Sequence, residues 1–286
     1  MNTIGFDTSN YTTSIAAFDG ADGVNCSQLL PVKQGQLGLR QSDALFAHVK
    51  SLPELSGRLF SNVAADSIAA VAVSTRPRAV EGSYMPCFLA GIAQAKLLSD
   101  ALHVPLFEVS HQQGHVAAAL WSAGRMDLMD KPHLAWHLSG GTTDISAGQL
   151  IDRTGQLLEL PFPSGKHLDA LSKTASDKSL FKVKCPGLEF SMSGVQNKVE
   201  QYHREHGDSA ETAAYALRCV AHAVITATRN AQKQYPGLEV VFSGGVASNS
   251  MLRELTKPLK PVFALPQYST DNAMGVAILA HRLLEG

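Results

Sequence analysis

The stretch best suited to chemistry is His111-Gln112-Gln113-Gly114-His115. On a helix, an i, i+4 spacing puts both imidazoles on one face, close enough to share a metal. Neutral imidazole suits zinc or iron. A metallopeptidase of the HExxH type needs a Glu after the first His, and Gln112 stands there. The plainer reading is two partly exposed histidines at a helix end. Asp271, which follows Ser269-Thr270, begins a helix in this reading, where Asp ordinarily serves as a cap or dipole partner. It would also complete a two-histidine, one-carboxylate metal site with His111 and His115.

Two Ser-Gly-Gly turns follow apolar strands, at Ser139-Gly140-Gly141 and Ser243-Gly244-Gly245. Glycines there let the backbone approach phosphate oxygens, which amide N–H groups can bind. Asn249 follows the second turn, near the start of a helix. One such turn is ordinary loop chemistry; two, each leaving a buried strand, favour a nucleotide site. Asp152 and Gly165 flank residues 157–163. Asp152 is either a ribose ligand or a solvated helix residue, and the residues alone do not choose.

The elements that must position these groups come in two series. Residues 3–6 form a strand, 7–11 a turn and 12–18 a second strand, and the pattern breaks from 20 to 38. Residues 41–59 have helical periodicity with Leu45, Phe46, Val49 and Leu52 on one side. A strand at 68–73, a helix at 86–102, a strand at 104–109 and a helix at 111–123 follow. The order then restarts with a strand at 133–138, a helix at 211–233 and a strand at 238–242. A helix at 251–257, a strand at 261–264 and a helix at 271–284 close it. This is a mixed α/β pattern with helices on both faces of a sheet. The two series imply lobes at 1–128 and 129–286, with the last helix, about 271–286, packing towards the first. His111 and Asp271 then open helices of different lobes, and a shared metal would couple lobe closure to ligand binding.

At 286 residues, 45% hydrophobic and 17% charged, the chain reads as a soluble two-domain protein. With 24 Lys+Arg against 25 Asp+Glu, it lacks the basic excess of a dedicated nucleic-acid binder. Any RNA contact should be local. Lys166, Lys173, Lys178, Lys182, Lys184 and Lys198 concentrate in the second half; they line an RNA path or form an ordinary solvated face. Cys26, Cys87, Cys185 and Cys219 show no CxxC spacing, which reads as reduced thiols. No signal peptide and no apolar run of about 20 residues is present. A cytoplasmic protein with no membrane partner is expected.

Taken in order, these segments resemble the tRNA N6-adenosine threonylcarbamoyltransferase family. Residues 5–13 resemble its opening strand and turn, and His111 to His115 its HxxxH metal motif. Residues 139–142 resemble its SGGHT phosphate loop, and 147–152 with 160–165 its AGExxD…LPYPGG segment. Residues 188–195 are similar to FSFSGL, 243–253 to GGVxxNxxLR, and 269–273 to CTDNAA. The resemblance implies the actin-like fold of sugar kinases and chaperone ATPases, with two ribonuclease H-like lobes and a central nucleotide cleft. It implies that His111, His115 and Asp271 bind one divalent metal, iron or zinc, with manganese or magnesium as further candidates. Ser139, Gly140, Gly141, Thr142, Asp152, Gly165, Gly244, Gly245 and Asn249 would hold ATP, AMP or threonylcarbamoyl-adenylate. Asp7, Ser9 and Tyr11 would form the catalytic turn. The partners implied are tRNA, an adenine nucleotide, and a second actin-like subunit in a homodimer or heterodimer.

The chain departs from the family pattern in places. The opening ETSCDET reads Asp7-Thr8-Ser9-Asn10-Tyr11-Thr12-Thr13, so Tyr11 replaces an acidic residue. Thr142-Thr143 stands for His-Thr, and Gln196 for a Lys. The β-hairpin that follows the SGGHT loop in the family has almost no room. It is either deleted, which keeps the spacing from Asp152 to Gly165, or formed by residues 142–150 and 156–162. The resemblance implies a transferase acting on tRNA adenosine. The alternatives are a regulatory or scaffold paralogue that binds metal and nucleotide without turnover, and a carbamoyl- or phosphoryl-transferase acting on another acceptor.

Overall fold

A computed structural model describes residues 1–9, 11–32, 38–138 and 145–286. The chain forms two compact units. The first comprises Met1–Val32, Gly38–Met129 and Ala264–Gly286, and the second includes Asp130–Phe263. The C-terminal segment thus belongs to the first unit, and the second ends at Phe263 rather than at the chain end.

The first unit is built on β1 (Asn2–Asp7), β2 (Thr12–Phe18), β3 (Gly23–Leu29), β4 (Ile68–Arg76) and β5 (Leu106–Ser110), in the order β3-β2-β1-β4-β5. β1 pairs antiparallel with β2 and parallel with β4, so the sheet is mixed. β4 reads Ile-Ala-Ala-Val-Ala-Val and is buried along most of its length, as a central parallel strand must be. β3 is missing from the sequence reading. As an edge strand it has few buried positions, and its polar GVNCSQL carries little strand signal.

Helix α1 (Gln41–Phe60) buries Ala44, His48, Leu52, Leu55 and Leu59, spaced by three, four and seven residues. The buried face is rotated from the expected one: Phe46 and Val49 are exposed. α2 (Phe88–Leu102) and α3 (His111–Ser122) complete the N-terminal part of this unit.

In the second unit, β6 (His133–His137), β7 (Glu239–Ser243) and β8 (Val262–Phe263) are parallel neighbours in that order. Its helices are α4 (Ala147–Leu157), α5 (Gly165–Leu171), α6 (Ser193–His206), α7 (Ser209–Gln234) and α8 (Ser250–Thr256). Residues 142–144 lie outside the described residues, but 147–157 are helical, so the strands that the alternative hairpin needs at 147–150 and 156–157 are not formed, and Asp152 is a helix residue. Leu150, Leu168, Met192, Val220 and Phe242 meet in this unit's core.

The chain returns to the first unit through α9 (Pro266–Ser269) and α10 (Met274–Glu285). Met274 to Ile278 and Ala280 of α10 are all buried. Small residues let this helix lie directly on the sheet. A Cβ added to Gly5 of β1 would stand 2.5 Å from Ala277 N and 2.6 Å from Ala273 O. The final helix begins at Met274, so Asp271 does not open it as expected.

Candidate metal centre

Ser110 sets where α3 starts. Its Oγ accepts from Gln113 N at 3.2 Å, and Gln113 Oε1 accepts from Ser110 N at 2.8 Å, a reciprocal capping box. His111 is therefore the first helical residue, and His115 lies one turn later on the same face. Their Nε2 atoms are 3.0 Å apart, with ring centroids at 4.4 Å. Asp271 Oδ1 lies 3.3 Å from His115 Nε2 and 3.5 Å from His111 Nε2.

Glycine contacts bring the carboxylate there. A Cβ on Gly275 would stand 2.6 Å from the carbonyl carbon of Gly114 and 2.9 Å from Ala118 N, so α10 and α3 touch backbone to backbone. The preceding loop is fixed as well. Ala273 N donates to Ser14 Oγ and to Asn25 Oδ1, and Asn272 Nδ2 donates to Thr270 O at 2.7 Å. Asp271 is free of cap duty, which Ala273 occupies. His111, His115 and Asp271 all lie in the first unit, so the expected metal bridge between helices of different lobes is not formed by these residues.

Three donor atoms 3.0–3.5 Å apart fit a single ion. Metal bonds of about 2.0–2.1 Å place neighbouring ligand atoms roughly 3.0 Å apart in an octahedron and roughly 3.4 Å in a tetrahedron. Two imidazoles and one carboxylate suit zinc, iron or manganese alike. The donor set and its spacing therefore fit the metal that the sequence implies.

Asp7 stands behind His111. Its Oδ2 is 2.7 Å from His111 Nδ1, and its Oδ1 accepts from Ser9 N and Ser74 Oγ, each at 2.9 Å. A carboxylate on the far nitrogen fixes ring orientation and raises the basicity of the ligating nitrogen. Asp7 thus positions His111 through its outer nitrogen, while Ser9 Oγ lies 3.5 Å from His111 Nε2. Tyr11 is half-buried, and its carbonyl accepts from Leu30 N at 2.7 Å.

The electrostatics match. Burial would push His111 down, but the Asp7 and Asp271 carboxylates override it and raise the ring to about 10. Burial, then the charge of His111, lowers His115. Burial opposes ionisation of Asp271 and Asp7, yet the histidines hold Asp271, and His111 holds Asp7, below the usual carboxylate range. In the metal-free protein a proton on His111 offsets part of this negative charge, where a cation would bind.

The residues assigned to nucleotide lie in the second unit. Ser139, Gly140, Gly141 and Thr142 fall outside the described residues. Asp152 Oδ1 accepts from Ser164 N at 2.9 Å, and burial raises its carboxyl. Gly165 follows directly at the start of α5. Among the described residues, a Cβ there would meet Ile151 alone, at an ordinary contact distance of 3.8 Å. Gly244 has φ +90, and a Cβ on it would run into the Leu138 backbone, 2.8 Å from its carbonyl carbon. Gly245 opens the following 3-10 turn. Asn249 caps α8, accepting from Leu252 N at 2.9 Å, and donates to Asp169 Oδ1 at 2.9 Å.

Asp169 went unnoticed in the sequence. Its Oδ1 also accepts from Ser250 N at 3.0 Å and Ser250 Oγ at 2.8 Å. One turn after Gly165, it ties α5 to the start of α8. The signal for it was an acidic residue at i+4 from a loop glycine. Gly114 and Gly275 were missed as positioning residues too.

The sequence model of the TsaD family, tRNA N6-adenosine threonylcarbamoyltransferase, matches residues 38–278. A tRNA N6-adenosine threonylcarbamoyltransferase of Carboxydothermus hydrogenoformans is 32% identical over 266 residues, spanning 84% of this chain and 78% of that protein. One from Streptococcus equi subsp. zooepidemicus is 32% identical over 213 residues, covering 66% of this chain and 62% of its own length. Among solved structures, full-length HypF aligns over 100% of this chain and 47% of its own, at TM-score 0.63 and 14% identity. The activator of 2-hydroxyisocaproyl-CoA dehydratase from Clostridium difficile aligns over 100% and 96%, at TM-score 0.55 and 13% identity. At such identities the likeness concerns the fold alone, which is that of actin-like ATPases and sugar kinases.

Proposed function

Because the chain belongs to the tRNA N6-adenosine threonylcarbamoyltransferase family, we propose that it is a metal-dependent transferase acting on tRNA. In this reading a threonylcarbamoyl group passes from threonylcarbamoyl-adenylate to N6 of the adenosine beside the anticodon. The N6–carbonyl bond forms, the bond from the carbonyl carbon to the phosphate oxygen breaks, AMP leaves, and N6 gives up one proton to solvent. The observation that carries the metal dependence is the convergence of His111 Nε2, His115 Nε2 and Asp271 Oδ1 within 3.5 Å.

A divalent ion bound there supplies Lewis-acid polarisation of a donor oxygen. Asp7 keeps the His111 ring turned so that Nε2 faces the other two donors, and Ser9 N and Ser74 Oγ keep Asp7 in place. In the second unit, the Gly165 backbone, the Asp152 carboxylate and Asn249 are assigned to adenylate binding, together with residues 139–142. Backbone N–H groups near Gly244 and Gly245 are suited to phosphate oxygens.

A second reading is favoured by Tyr11, which stands where the family carries an acidic residue. A phenol cannot act as a carboxylate near neutral pH. On this reading the chain binds metal and adenine nucleotide as a regulatory or scaffold subunit, or transfers to another acceptor.

The test is reconstitution with unmodified tRNA, ATP, threonine, bicarbonate and an adenylate-forming partner, followed by nucleoside mass spectrometry. Threonylcarbamoyladenosine that appears with wild type and vanishes with Asp271→Ala supports the transferase. No product from a wild type that still binds adenylate and metal supports the second reading.

A further inference from the structure

The chain has a net charge of −1, yet its charges are not evenly spread. Residues 212–238, most of α7 and the turn beyond it, contain no Asp or Glu, and neither do residues 178–188. Between them these stretches carry Lys178, Lys182, Lys184, Arg218, Arg229 and Lys233, with His222. Both lie in the second unit.

The fold brings the two stretches together. Arg218 Nε donates to Ser179 O at 2.9 Å, and Phe181 N donates to Cys219 Sγ at 3.2 Å. Further along, Asn230 Nδ2 donates to Gly187 O at 2.8 Å and to Cys185 O at 3.3 Å. Residues 178–188 therefore run along α7 as a strap. On the helix, Arg218, His222, Arg229 and Lys233 follow i, i+4, i+11 and i+15, a stripe about 60° wide that extends roughly 22 Å. Lys182 of the strap and Arg229 of the helix lie near enough to His222 that their charges, after its burial, lower its pKa.

Two of the carboxylates at the borders are engaged away from these cations. Asp177 accepts from Tyr202 Oη at 2.6 Å and from Ser179, and Glu211 accepts from the backbone of Ser176 and Asp177. Among the described residues, no ion pair joins Lys182, Arg218, Arg229 or Lys233 to a carboxylate. Arg218 Nη2 and His222 Nδ1 are buried with no hydrogen-bond partner among those residues. Lys178, Lys182, Lys184, Arg229 and Lys233 are exposed.

We infer that this face of the second unit is where the phosphodiester backbone of the tRNA docks, with Lys182 and Arg229 contacting phosphates near His222. The inference rests on the transferase reading for the identity of the polyanion. A row of unpaired cations follows a phosphate backbone and carries no base information. Affinity through such contacts falls steeply with salt, because each one releases condensed counterions. A near-neutral protein can bind RNA this way because the cations are segregated. The inference takes Lys178, Lys182 and Lys184 from the six lysines of the sequence and adds Arg218, Arg229 and Lys233 from α7.

The test is fluorescence anisotropy of an unmodified tRNA transcript across a KCl series. It uses wild type, Lys182→Glu, Arg229→Glu, the double variant, and Lys96→Glu as a single charge reversal on the first unit, matched to each single variant. The double variant should bind about tenfold or more weakly, and its log–log salt slope should flatten by about one for each phosphate no longer engaged. Zinc binding should be unchanged. If the double variant matches Lys96→Glu in affinity and slope, the docking face is wrong, even if wild type modifies tRNA. If wild type makes no threonylcarbamoyladenosine but the double variant alone loses tRNA, the face stands and the transferase reading fails. Loss of affinity for anionic phosphatidylserine vesicles, with tRNA binding intact, would overturn the assignment in favour of a membrane surface.

Discussion

Replacing Gly275 with Ala should break the metal centre from outside it. The new Cβ would stand 2.6 Å from the Gly114 carbonyl carbon and 2.9 Å from Ala118 N. Ordinary carbon contacts lie at about 3.5–4.0 Å, so α10 must retreat from α3 by about 1 Å. Backbone meets backbone here, and no flexible side chain can absorb the move. Asp271 precedes α10 on a short loop tied to its first turn, whereas His111 and His115 ride on α3. Metal sites hold their distances within about 0.2 Å, so a 1 Å separation removes the carboxylate from the coordination sphere. We expect metal affinity to fall by at least 10–100-fold, the range seen when supporting residues of a metal site are removed. Overpacking should cost about 1–3 kcal/mol. Gly57→Ala serves as control: a Cβ on this helical glycine meets nothing within 4 Å, and the change should stabilise by about 0.5–1 kcal/mol. Calorimetric zinc titration of the metal-free proteins, with thermal unfolding alongside, reads both effects. Gly275→Ala that binds zinc within twofold of wild type would refute the idea that the glycine contact sets the site.

Three further outcomes follow from the side chains. His111 is raised to about 10 by Asp7 and Asp271 against burial, so zinc must displace its proton at pH 8; titrations in two buffers of different ionisation enthalpy should show about one proton released per ion. In the metal-free protein, the stabilisation from this raised pKa is complete below about 6.5 and is lost as pH rises towards about 10. Urea midpoints should therefore decline across that window, and more steeply in wild type than in His111→Gln. Asn249→Ala removes both the α8 cap and the hydrogen bond to Asp169, and should cost about 1 kcal/mol, read as a melting temperature lower by about 2–4 °C. An unchanged melting temperature would show that the cap contributes nothing.

Much of this was legible locally. The HxxxH spacing placed both histidines on one helical face. The apolar and β-branched runs of β1, β2 and β4, buried along most of their length, declared the first sheet. What stayed hidden depended on partners far away in sequence. Nothing near Gly275 announces Gly114, and the last helix, though expected to pack towards the first lobe, was counted with the second. The two histidines and the carboxylate were therefore assigned to different lobes. β3 was invisible because an edge strand needs little apolar surface, and α1 was read one face off because Phe46 and Val49 are exposed apolar residues. Asp169 acts through Asn249 and Ser250, a link only the fold makes.

The most direct measurement is a cobalt(II) titration of the metal-free protein followed by its visible spectrum, in wild type and in His111→Ala, His115→Ala and Asp271→Ala. One equivalent of ion per chain is expected for wild type, with the ligand-field bands abolished or strongly shifted in each variant while circular dichroism is unchanged. One equivalent bound with an unaltered spectrum in all three variants would contradict the account.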